Sequence, residues 1–126
     1  MVATNLLAGW VGMLGGVLSG AIVGLFFHGD DWMGGYASYR RRLVRLGHIS
    51  FFGLGFLNLL FALTAAPLHL AGTAVAIASP ALLALAATMP VCCYLSAWRK
   101  PLRHLFPIPV LAALTGVLAI LLGGFR

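Results

Sequence analysis

The side chains able to hold a metal or a haem iron are few and unevenly placed. His28 closes a long uncharged run, His48 lies just past Arg45, and His104 precedes the last apolar run. Met89, Cys92 and Cys93 share one short segment. Neutral imidazole ligates haem iron axially, and small residues alongside admit the flat ring. Soft sulfur ligands suit copper(I). Two chemistries therefore deserve a hearing: haem b or a metal on His28 and His48, with His104 as a further ligand, and copper on Met89, Cys92 and Cys93.

Glycine strengthens the first of these. Gly12, Gly16, Gly20 and Gly24 recur at every fourth position, and His28 occupies the next step. In a helix this spacing makes one bare face, along which another backbone or a flat cofactor can approach closely. His48, Phe52, Gly55, Leu59, Ala62 and Ala66 form a second stripe at about 100° per residue. If the two faces meet, His28 and His48 lie near each other, with Gly20, Gly24 and Gly55 giving a ring room. Asn58 is then a hydrogen-bonding neighbour, because an unpaired amide inside a membrane is costly. A glycine ridge serves plain helix packing equally well.

The elements that must position these residues are membrane spans. The chain has 126 residues, of which 62% are hydrophobic and 8% charged. A soluble domain of this length needs far more charge on its surface. Four apolar runs, at about 5–27, 43–66, 71–98 and 105–123, each approach or exceed the ~20 residues a spanning helix requires. The expected fold is an all-α integral membrane protein, a single four-transmembrane-helix bundle. The first run lacks a basic preamble and a small-residue cleavage site, so it reads as a retained span rather than a signal peptide. Pro80 and Pro90 fall inside span three. Pro107 and Pro109 suit the first turn of span four, which would leave His104 in an interfacial segment.

Eight basic residues against two acidic ones resemble a nucleic-acid signal, but their placement points to topology. Arg40, Arg41, Arg42 and Arg45 lie between spans one and two; Arg99, Lys100 and Arg103 lie between spans three and four. The intervening loop, 66–70, has no Lys or Arg. The positive-inside rule gives N-out/C-out orientation, with both basic loops in the cytoplasm. It brings His28, His48, His104 and the sulfur segment towards one end of the bundle. A bacterial inner membrane is the expected location. The same arginines, with Trp32, Tyr36 and Tyr39, suit anionic lipid head groups. Asp30 and Asp31 are expected to pair with arginines or to cap a helix. The hydroxyls of Thr64, Ser79, Thr88 and Ser96 are expected to bond their own helices.

No Asp, Glu, Lys or Arg falls in the middle of a span, which speaks against proton-coupled transport. Walker, nucleophile-elbow and zincin patterns are absent, so no enzyme is indicated. Three function classes follow. The first is a haem b or metal-binding subunit of a membrane electron-transfer complex. The second is a cofactor-free structural or assembly subunit that docks a larger membrane complex, or a second copy, through its glycine face. The third is a small copper-handling protein. Lipid bilayer and other membrane subunits are the expected partners, and nucleic acid is not.

Overall fold

A computed structural model describes residues 1–125. Four long helices account for most of the chain: α1 (Val2–Phe26), α2 (Tyr39–Thr64), α3 (Gly72–Trp98) and α4 (Pro107–Gly124). Each lies in a stretch long and apolar enough to cross a membrane. Two short 3-10 segments, Trp32–Gly34 and Lys100–Leu105, lie in the α1–α2 and α3–α4 connections, and Arg40, Arg41, Arg42 and Arg45, expected between the spans, fall in the first turns of α2.

Local chemistry fixes the boundaries. Ser38 caps α2, its hydroxyl accepting from the Arg41 backbone N–H at 3.1 Å and donating to the Met33 carbonyl at 2.7 Å. Gly34 and Gly35 take positive φ (87° and 92°), a region open to residues without Cβ. Pro107 opens α4, where a missing N–H costs nothing. His104 accordingly falls in the 3-10 segment before α4, as the prolines predict.

The helices lie side by side in chain order, α2 between α1 and α3, and α4 against α3; α1 also reaches α3. Around the α2–α3–α4 contact, Phe61, Ala65, Ala78, Leu82 and Leu85 form the buried core. Glycine brings α4 close: a Cβ at Gly116 would lie 2.8 Å from Leu82 Cδ2. Lipid tails are as apolar as these side chains, so close packing and hydrogen bonds, rather than apolar burial, must hold such helices together.

The hydrogen bonds are concentrated in one network. Asn5 of α1, Asn58 of α2 and Ser79 of α3 are each essentially inaccessible (0%, 0% and 1% exposed). Asn5 Nδ2 donates to Asn58 Oδ1 at 2.7 Å and to the Ser79 carbonyl at 3.3 Å. The Ser79 hydroxyl donates back to Asn5 Oδ1. Asn58 Nδ2 donates to the carbonyls of Leu54 (2.9 Å) and Leu82 (3.3 Å). Three helices are thereby pinned in register by two amides and one hydroxyl. Ser79 thus bonds across to α1 rather than along its own helix. Thr64 and Thr88 do bond their own helices, at the Leu60 and Ala84 carbonyls. The buried Ser96 hydroxyl has no hydrogen-bond partner among the described residues.

Removing the Asn58 amide takes a partner from one donor, Asn5 Nδ2, and from two acceptors, the Leu54 and Leu82 carbonyls. Asn58→Ala is expected to destabilise the folded state by about 1–2 kcal/mol. Leu60→Ala, at a side chain 56% exposed on the outer face of α2, should cost far less. Unfolding midpoints in mixed micelles titrated with SDS would compare them, and equal shifts would remove the network from its place in the fold.

Candidate functional site

The glycine face of α1 lies against α2 along its whole working length. A Cβ at Gly9 would run into the Leu59 side chain, and one at Gly12 would lie 3.0 Å from the Phe51 carbonyl oxygen. At Gly16 it would meet the Phe52 ring at 2.6 Å, and at Gly20 the His48 ring at 2.6 Å. From the other side, a Cβ at Gly55 would lie 3.0 Å from the Gly9 carbonyl oxygen. The two stripes read from the sequence therefore do meet each other, within one chain. Of the α1 glycines, Gly24 has open space beside it.

His48 is built into this seam. Its ring lies over Gly20, with Phe52 edge-on at 5.6 Å and 88°. Its Nδ1 is 3.0 Å from Ser19 Oγ, whose hydroxyl donates to the Gly16 carbonyl at 3.2 Å. In the tautomer that carries its proton on Nδ1, the ring donates to Ser19 and Nε2 keeps the lone pair. The imidazole fills the notch at Gly20 that a ring cofactor would need, and α1 backbone fills the one at Gly55. A haem does not fit between α1 and α2.

The other expected ligands lie apart. His28 is exposed beyond the end of α1, about two turns past Gly20. His104 is exposed in the second 3-10 segment, and His69 is exposed in the α2–α3 turn. Asn58 belongs to the Asn5–Ser79 network, ten residues along α2 from His48, so it is no neighbour of the histidine. Met89 packs against the Phe61–Leu82–Leu85 core; Cys92 Sγ faces the Leu105 carbonyl at 3.7 Å; Cys93 sits against Gly47 of α2. Among the described residues, no group of three or more His, Cys, Asp or Glu side chains is placed to hold a metal ion.

The basic end holds a feature that spacing alone does not single out. Arg41 is 3% exposed, although its neighbours Arg40 and Arg42 face outwards. Its Nη2 donates to the Phe27 carbonyl at 2.9 Å, and its Nη1 to the carbonyls of Gly29 (3.2 Å) and Asp30 (3.4 Å). The guanidinium also lies 4.6 Å from the Phe27 ring centre, 5.4 Å from Trp32 and 5.5 Å from Tyr36. It thus satisfies the carbonyl of the α1 C-cap and two carbonyls of the connection beyond it, at the helix end where the dipole favours a cation. Arg41 is consequently not available to a lipid head group. Asp30 contributes its carbonyl to Arg41 rather than its carboxylate, and Asp31 precedes the first 3-10 segment without a side-chain capping bond. Four other cations rest on rings and carbonyls: Arg45 over Tyr36, Arg99 over Trp98, Lys100 near Tyr39, and Arg40 Nε on the Ala97 carbonyl at 3.1 Å.

Beside this end, a cleft of about 530 Å³ lies between α1, α2 and α3 and beneath the first 3-10 segment. Its volume is in the range of ligand sites. Almost all of its lining is carbon.

Hydrogen bonds from a charged donor typically contribute about 1.5–3 kcal/mol. Arg41→Gln is expected to cost about 2 kcal/mol or more and to open the 27–38 connection to protease. Arg42→Gln, on the exposed neighbour, should stay within about 0.5 kcal/mol. Thermal melts and limited proteolysis in detergent would compare the two, and equal behaviour would contradict the buried role of Arg41.

No protein-family model matches the chain, and no similar curated protein or solved structure was found.

Proposed function

We propose that the chain is a cofactor-free structural or assembly subunit of a membrane complex, set in a bacterial inner membrane with both termini outside and its basic loops in the cytoplasm. The observation that carries this reading is the closure of the α1–α2 seam by protein atoms. Each glycine notch from Gly9 to Gly20 is filled by a side chain or backbone of α2. His48 serves as a filler of that seam, held by Ser19. The glycine face is engaged inside the chain, so contact with other subunits falls to the outer faces of α1 and α4. Those faces carry large exposed side chains, among them Leu7, Trp10 and Leu14 on α1 and Leu111, Leu114 and Leu118 on α4. The two helices stand at opposite ends of the row, which suits a subunit gripped from either side.

A second reading keeps His48 as a ligand. Its support is the Ser19 contact, which orients the ring and leaves Nε2 as a lone-pair donor, as an outer-shell partner does for metal-bound histidine. The iron or metal would then be met from the open Gly24 side of the seam, in an electron-transfer complex, with His28 the nearest further histidine in sequence. The copper reading has less behind it, since Met89, Cys92 and Cys93 turn to three different neighbours.

Absorption spectra of oxidised and dithionite-reduced protein, taken in isolated membranes and after purification in mild detergent, separate these readings when metal content is measured on the same samples. The structural reading expects no Soret band and no stoichiometric iron or copper, while His48→Ala lowers the melting temperature. A Soret band with reduced α and β bands near one haem per chain, lost in His48→Ala, would overturn it. Copper lost in Cys93→Ser would overturn it in favour of the third class.

A further inference from the structure

The cleft at the basic end goes beyond either reading. At its far end, α1 is tied to α3 by Asn5 and Ser79. Towards the basic end, Val23 and Phe26 of α1, Val44 and Phe51 of α2 and Tyr94 of α3 line the cleft, and Ser19 lies close to the Tyr94 hydroxyl at its inner side. Trp32 and Met33 form the lid. Met33 reaches that place with φ at 56°, a left-handed backbone conformation unfavourable for a residue with Cβ. The Ser38 hydroxyl donates to its carbonyl and holds it there. The surface of the lining is almost wholly carbon, so it suits a hydrocarbon chain.

Charge stands directly beyond this apolar wall. Arg40 is one helical turn before Val44, on the same side of α2. Its Nε bonds the carbonyl of Ala97, one turn after Tyr94 on α3. The guanidinium thus spans the gap between the two helices just past the cleft, and Arg40 is exposed. The Nε bond to Ala97 leaves the outer edge of the guanidinium for a phosphate. Arg99 and Lys100 follow at the end of α3, both exposed. A dry slot for a chain, closed at one end by an exposed arginine with two more cations alongside, complements one kind of molecule.

We infer that the cleft between α1 and α3 is a binding site for an anionic phospholipid, with one acyl chain against Val23, Val44 and Tyr94 and the head-group phosphate on Arg40. The Trp32–Met33 lid covers the chain near the glycerol level. This differs from diffuse attraction to a basic loop, because it names one arginine and one slot, and it leaves Arg41 and Arg45 out of the head-group contact.

Native mass spectrometry of the intact chain, released from detergent supplied with phosphatidylglycerol or phosphatidylcholine of identical chains, tests this. The wild type should retain one phosphatidylglycerol per chain under activation that strips phosphatidylcholine. Arg40→Gln should weaken phosphatidylglycerol retention by about fivefold, the scale of one cation at a membrane surface. Arg103→Gln, an exposed cation in the second 3-10 segment, should leave it unchanged. Ile22→Trp projects bulk into the cleft from a rim position 60% exposed, and should abolish retention while the melting temperature holds. Val23→Phe is the second filling variant if Ile22→Trp fails to fold. Equal retention of both lipids, unchanged retention in the filling variants, equal losses in Arg40→Gln and Arg103→Gln, or a neutral lipid as the sole species carried through purification would each overturn the assignment.

Discussion

The absence of side chains on one face of α1 is the constraint on which the rest of the structure depends. Two helices in lipid gain nothing from excluding water, so their contact has to be close. Gly9, Gly12, Gly16 and Gly20 permit that approach, and Gly55 answers them from α2. Once the backbones touch, the register of the two helices is set within a fraction of a turn. The same register brings Asn5 to Asn58 at one end and Ser19 to His48 nearer the other. A single Cβ branch on this face would separate both pairs.

The two ends of the row then solve different problems. At the Asn5 end, polar groups lie where water is absent, and each amide finds partners on neighbouring helices. At the basic end, the connection between α1 and α2 must turn back sharply and cover exposed carbonyls. Arg41 does this from inside, gathering Phe27, Gly29 and Asp30 around one guanidinium. Holding the connection down in this way also sets Trp32 and Met33 over the space between α1 and α3. The cleft is therefore a by-product of the turn that Arg41 maintains.

Much of this was legible in the residues. Run lengths and charge placement outline four spans, and the four-residue glycine spacing marks α1 as a close-packing helix. The need of Asn58 for a partner follows from its depth in an apolar run. Its partner does not, because Asn5 stands at the very start of the first run and looks like an interfacial residue until α1 proves to begin at Val2. Arg40, Arg41 and Arg42 are indistinguishable as letters; only their angular positions on α2 send one inwards and two outwards. The histidines mislead for a related reason. Topology places three of them towards one end, but the rotation of each helix and the length of each connection decide whether side chains converge. His48 turns into the seam while His28 and His104 stay outside it. Glycine beside histidine reads as room for a ring, and in the folded chain the ring that takes the room is the imidazole itself.

The claim that protein atoms, and no cofactor, fill the seam is tested most directly by a double-mutant cycle on Gly20→Ala and His48→Ala, read as unfolding free energies in mixed micelles. A methyl group at Gly20 should destabilise the wild type by about 1–3 kcal/mol through its clash with the imidazole. In the His48→Ala background the same methyl should be neutral or stabilising, because the notch is then empty. Such strong coupling is the expected result. Additive effects of the two substitutions would mean that His48 does not occupy the Gly20 notch, and the cofactor-free account would fail with it.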